Sequence, residues 1–134
     1  IHNAYKQDVI YKHIHSYHSG RTYNAPINSD CDYKIGVDIE PLERDFERVA
    51  SRYMSPEEQR LCDDRLWPAF AWCAKEALYK LYGERGLDLK RDIVLESYNH
   101  EQGVICAMLC QKSKARVEVS LHHTDAVVAV AEFE

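Results

Sequence analysis

Residues 67–83 read WPAFAWCAKEALYKLYG, and the period of this stretch decides the fold. Phe70, Ala74, Ala77, Leu78 and Leu81 recur at three- and four-residue steps, the pattern of a helix with one apolar stripe to bury against a sheet. Pro68 suits the first turn, where its missing N–H is not needed, and Gly83 suits the stop. At roughly 100° per residue, Glu76 and Lys80 share a flank beside the stripe, while Lys75 falls on the other side. The helix therefore presents a carboxylate and an ammonium together, one turn apart. By itself the same spacing also describes a surface ion pair, worth about 0.2–0.5 kcal/mol.

Upstream, residues 33–40 read YKIGVDIE. Ile35, Val37 and Ile39 alternate with Gly36, Asp38 and Glu40, the pattern of a buried strand. Successive side chains point to opposite faces, so Asp38 and Glu40 share one face with their carboxylates side by side. Two readings stand. A hard divalent cation such as magnesium, which takes oxygen ligands, compensates the repulsion; or the pair faces solvent at the end of an edge strand, which Pro41 terminates.

Residues 42–53 read as a helix on which Arg44, Arg48 and Arg52 form one row. The row is either a docking surface for an acidic partner or a solvated face paired with Glu43 and Glu47. Ser55-Pro56-Glu57-Glu58 is a capping box with proline at the first helical position, opening a short helix from Pro56 to about Asp63. Beyond the opening helix, GERGLDLKRD (residues 83–92) is a glycine-punctuated loop. Strands follow at 92–98, 104–110, 115–122 and 126–133, with turn signals at 99–103, 111–114 and 124–125. Such short connections make an antiparallel meander. In the third of these strands, Val117, Val119 and Leu121 alternate with polar residues, so one face is wet. Strand, then helices, then a run of antiparallel strands is an α+β domain.

The first thirty residues carry the weakest pattern: a strand at 9–14, then a loop, HIHSYHSG (residues 13–20), whose side chains and exposed amides offer donors to phosphate. His13, His15 and His18 fit no standard zinc spacing. His122 and His123 read as structural or exposed.

A length of 134 residues, 46% hydrophobic and 29% charged, bounds the chain to one globular domain. No window approaches the apolar length of a membrane span, so a soluble protein is expected. A net charge of -5 argues against general nucleic-acid binding, leaving any anionic ligand to a local site. Five cysteines without a CxxC pair favour reduced, buried thiols and a cytoplasmic home. The chain begins at Ile1 without a signal peptide's apolar core, consistent with a cut or incomplete start.

Gly36-Val37-Asp38-Ile39-Glu40, a spacer of about thirty residues, and Trp72-Cys73-Ala74-Lys75-Glu76-Ala77-Leu78-Tyr79-Lys80 together resemble the two signature motifs of the 4'-phosphopantetheinyl transferase superfamily, of holo-acyl-carrier-protein synthase type. The family's G-[IV]-D-x-E strand and W-x-x-K-E-x-x-x-K helix are filled at every defining position. The resemblance spans residues 33–134 of a single domain, 1–134, in which residues 1–32 match poorly. It makes one site of what are otherwise an acid pair and an ion pair.

The resemblance implies a magnesium-dependent transfer of 4'-phosphopantetheine from coenzyme A to a serine of an acyl or peptidyl carrier protein of fatty-acid, polyketide or peptide synthesis, releasing 3',5'-ADP. Asp38, Glu40 and Glu76 would hold magnesium, Lys80 would stabilise the phosphate leaving group, and Lys75 would contact the cofactor's phosphates or help position them. The serine proton would go to Glu76, directly or through a water, or to a metal-bound water instead. Ser16-Tyr17-His18-Ser19 is similar to the family's S-x-S-H element, whose histidine contacts phosphate, although Tyr17 stands where Ser belongs. Arg44, Arg48 and Arg52 would dock the acidic carrier. Glu40 is typical of the larger, duplicated branch, yet the chain has about half that length, so a homo-oligomer, dimer or trimer, is expected to complete the coenzyme A cleft. Gly83-Glu84-Arg85-Gly86 departs from the family's tighter glycine spacing. Two other classes fit the residues: another magnesium-dependent phosphoryl-transfer enzyme, and an inactive half-domain or carrier-binding module. The physical expectation is that Glu76 points at Asp38 and away from solvent.

Overall fold

A computed structural model describes residues 2–20 and 34–134 of the chain. Its strands are β1 (Gly36–Pro41), β2 (Ile93–Asn99), β3 (Val104–Leu109), β4 (Ser113–His122) and β5 (Ala126–Phe133). They form one sheet in the order β1-β5-β4-β3-β2 with every neighbour antiparallel. The β2 to β5 meander is the one the alternation and turn signals predict, and β1 closes it by pairing Asp38 with Ala129 and Glu40 with Val127. The domain is α+β.

The helix of residues 67–83 is α4 (Trp67–Tyr82), with Pro68 in its first turn and Gly83 ending it at φ 78°, a left-handed conformation that glycine adopts without a Cβ penalty. Its Ala74, Ala77, Leu78 and Leu81 are buried as the stripe predicts, and Ala71 and Cys73 join them. Phe70 is only half-buried, at the stripe's edge against Tyr98. Small residues bring α4 close to β1. A Cβ added to Gly36 would lie 2.0 Å from the Ala77 carbonyl oxygen and 2.7 Å from the Leu81 nitrogen, so the motif's glycine sets the distance between helix and strand.

The alternation of β1 separates two cores. Tyr53, Trp67, Leu78, Ile105, Val117 and Ala129 belong to the large core between α4 and the sheet. On the opposite face Val37, Val128 and Val130 pack with Val9, with Ile35 and Ile39 against them.

The first segment is a correction. Residues expected as a strand at 9–14 and a loop at 13–20 form one helix, α1 (His2–Ser19), which lays Val9 with Tyr5 and Ile10 on the second core. Its apolar stripe is short and interrupted by histidines and tyrosines, so its period is faint in the sequence. Lys6 completes the docking by reaching Glu132 at 3.2 Å and Glu118 at 3.4 Å, which partly covers the face of β4 expected to be wet.

The expected helix at 42–53 is also interrupted. A turn precedes a 3-10 segment (Glu47–Val49), α2 covers only Ala50–Tyr53, and α3 covers Pro56–Gln59. The Ser55 capping box forms as read, with Ser55 Oγ accepting from the Glu58 N–H and the Glu58 carboxylate accepting from the Ser55 N–H. The break at 46 follows from packing: Phe46 is buried and its carbonyl accepts the Tyr53 hydroxyl at 2.8 Å. Among the described cysteines all four are free thiols; Cys73 is buried while Cys62, Cys106 and Cys110 are half-exposed, and Cys31 lies outside the described residues. No described helix is long and apolar enough to cross a membrane.

Candidate functional site

The site is built where α4 crosses β1. Gly36, Asp38 and Glu40 face the helix because their alternates Ile35, Val37 and Ile39 face α1. Asp38 and Glu40 are buried, at 6% and 9% exposure, although the strand ends one residue later. Lys80, near the end of α4, donates to Asp38 Oδ1 at 2.9 Å and to the Val37 carbonyl at 3.1 Å. The i, i+4 partner of Lys80 on the helix, Glu76, is not its hydrogen-bonding partner; the strand's acid is. The tertiary contact thus replaces the surface ion pair that the helix alone suggests.

Asp38 Oδ2 is buried with the Glu40 carboxyl beside it, and the two acids share a hydrogen bond when Glu40 carries its proton. Glu40 is the second acid, held by Arg44 Nη1 at 2.6 Å. Burial, reinforced by the neighbouring Asp38 carboxyl, pushes the Glu40 carboxyl up to about 8, against the pull of Arg44. Glu76 is half-buried. Burial and then the charge of Glu40 raise its carboxyl above the usual range, with Lys80 and Arg44 opposing. The acid whose charge acts on Glu76 is therefore Glu40 and not Asp38 as expected, and Glu76 is only partly withdrawn from solvent. Three carboxylates and two cations converge, and the carboxylates are under-neutralised.

Arg44 belongs to this cluster, a role the helical reading of 42–53 missed. Its separation from Glu40, four residues, was the available signal. The turn after β1 carries it back over the acid, and its guanidinium lies 5.4 Å from the Phe46 ring centroid. With no continuous helix through 44–52, Arg44 does not form one row with Arg48 and Arg52, which are both exposed on the segments that follow. Trp72, the motif's tryptophan, stands edge-on to Tyr53 at 5.1 Å between centroids. Its buried indole Nε1 is directed at the Glu40 carboxyl and favours that group's ionised form. Cys73 donates its thiol proton to the Asp38 carbonyl at 3.2 Å, and burial raises the thiol well above its ordinary value. It anchors backbone.

Lys75 is the clear correction. The resemblance assigns it to the cofactor's phosphates, whereas its side chain is 0% exposed and reaches Glu58 Oε2 at 2.8 Å and the Leu89 carbonyl at 2.7 Å. The 100° step to the far side of α4 carries it into the interior, away from the acids. Glu58 is satisfied in turn by the N–H groups of Ser55 and Leu95, each at 2.8 Å.

His18 ends α1 instead of lying in a phosphate-binding loop. Its ring neighbours are Tyr17, His122 and His123.

Two buried acids, a half-buried third and a lysine at one crossing of helix and strand suit a divalent cation and a polyphosphate. Residues 34–131 match the family model described as the 4'-phosphopantetheinyl transferase superfamily. No curated protein matches the chain.

Proposed function

The chain belongs to the 4'-phosphopantetheinyl transferase superfamily, and we propose that it moves the phosphopantetheine arm of coenzyme A onto a serine hydroxyl of an acyl or peptidyl carrier protein. The observation that carries this reading is the gathering of acids where α4 crosses β1, with Asp38 and Glu40 buried side by side and Lys80 on Asp38. Such an arrangement is costly in a metal-free fold and is relieved by a cation. The donor set, all carboxylate oxygen, fits magnesium. Asp38, Glu40 and Glu76 would hold it, and once bound it would offset the negative charge of the diphosphate.

In this reaction the serine Oγ attacks the β-phosphorus of coenzyme A. A P–O bond forms to the carrier as the P–O bond to the departing 3',5'-ADP breaks. Glu76, directly or through a water, is the candidate to accept the serine proton. Lys80 faces the leaving phosphate. Two of its three N–H donors are used by Asp38 and Val37, leaving one for an incoming oxygen. Arg48 and Arg52, exposed on the segments after β1, suit an acidic carrier. A second copy in a dimer or trimer would complete the cofactor cleft, and the cytoplasm would be the place of action.

The test is intact-mass analysis of an apo carrier protein incubated with the chain, coenzyme A and magnesium. Addition of one phosphopantetheine is expected, and Glu76→Ala should lower the rate by about 10²–10³-fold. Coenzyme A binding without addition to any of several carriers would leave a binding module instead. Nucleotide cleavage with no carrier modified would indicate a different phosphoryl-transfer reaction.

A further inference from the structure

Where the end of α1 meets the β4–β5 turn, three imidazoles come together. His18 is the next-to-last residue of α1, His122 is the last of β4, and His123 opens the turn. One ring nitrogen from each lies within 4.8 Å of the others, and Nε2 of His18 is 3.1 Å from Nε2 of His122. Ring centroids are 4.1 Å apart for His122 and His123, and 5.2 Å and 6.2 Å from His18 to each.

The backbone explains how two consecutive residues converge. Extended geometry would send His122 and His123 to opposite faces of the sheet. His123 instead has φ 60°, a left-handed conformation uncommon for a residue with a Cβ, and this folds its ring back beside that of His122. The docking of α1, fixed by Val9 in the second core and by Lys6 on Glu118 and Glu132, supplies the third imidazole.

We propose that His18, His122 and His123 form a binding site for a borderline transition-metal ion, with zinc as the type, in which three imidazole nitrogens bind and water takes the open position. Tetrahedral zinc with Zn–N bonds of about 2.0–2.1 Å holds its nitrogens roughly 3.3–3.4 Å apart. The His18–His122 pair already stands near that separation. No pair needs to close by more than about 1.4 Å, within reach of ring rotation because His18 and His123 are exposed. Nitrogen donors prefer zinc, nickel or copper over magnesium, so this site and the carboxylate site sort cations by hardness. A bound ion would clamp the end of α1 to the β4–β5 turn. The inference stands on these rings alone and is independent of the transferase reading.

The test is zinc titration of the chelator-stripped full chain by calorimetry, with excess magnesium present to occupy the carboxylates, and a parallel cobalt titration read by visible absorption. One equivalent of zinc and a tetrahedral cobalt spectrum without thiolate charge transfer are expected. His18→Ala, His122→Ala and His123→Ala should each weaken zinc at least 10-fold, while His15→Ala and His100→Ala leave it unchanged. If His122→Ala disturbs β4 by circular dichroism, His122→Gln replaces it. Absence of zinc binding to the wild type, equal binding by the triple alanine variant, or a thiolate signal in the cobalt spectrum would each overturn the proposal.

Discussion

Two lysines five residues apart on α4 meet carboxylates in opposite ways. Lys75 and Glu58 form a closed set: Lys75 bonds Glu58 and the Leu89 carbonyl, and Glu58 also accepts from the N–H groups of Ser55 and Leu95. Lys80 faces an open set, Asp38, Glu40 and Glu76, in which burial raises the Glu40 and Glu76 carboxyls above their ordinary range. A satisfied buried pair ties the fold together, here α3 and the loop before β2 to α4. An open one waits for a ligand. The lysine that looks more conspicuous in the motif is thus the structural one, and polar satisfaction distinguishes the two.

The comparison breaks most sharply at Lys75. Lys75→Ala leaves Glu58 charged in the interior and should cost about 3–5 kcal/mol, read as a lower urea midpoint with unchanged slope. A loss under about 1 kcal/mol, the range of surface pairs, would put Lys75 back among exposed residues.

A smaller effect distinguishes the open set by pH. The Glu40 carboxyl stands at about 8 in the fold against an ordinary 4.5, so between those values the folded chain keeps a proton that the unfolded chain has released. The contribution of Glu40 to metal-free stability is therefore fullest below about 4.5 and falls as pH rises toward 8. Thermal melts in chelator should show this decline, Glu40→Gln should flatten it, and magnesium should oppose it at the upper end. A wild type and a Glu40→Gln variant with parallel pH profiles would show that Glu40 is not held protonated.

The smallest effect has the opposite sign to the first. Glu76→Gln removes one of the repelling charges and should leave metal-free stability unchanged or raise it by about 0.5–1 kcal/mol, measured by the same denaturation. A marked destabilisation would make Glu76 a structural partner like Glu58.

Much of this domain is legible from local pattern. The period of residues 67–83 marks α4, the alternation of 35–40 marks β1, and short turns mark the meander, because each element is amphipathic toward a core of its own. α1 escapes that reading because its buried stripe rests chiefly on Val9 within a polar, aromatic sequence. The helix expected at 42–53 fails because Phe46 turns inward to receive the Tyr53 hydroxyl, a contact that helical spacing does not reveal.

For the site, the sequence by itself determined the donors: two acids on one face of a strand, a third acid and a lysine on one flank of a helix, and a glycine whose missing Cβ lets the two elements meet. The tertiary structure alone decided their partners. It paired Lys80 with Asp38 instead of Glu76, folded Arg44 over Glu40, turned Lys75 into the interior and brought His18 to His122 and His123. Periodicity fixes the direction in which a side chain leaves its own element. What that side chain meets depends on which element packs there, and that is set by burial across the whole chain.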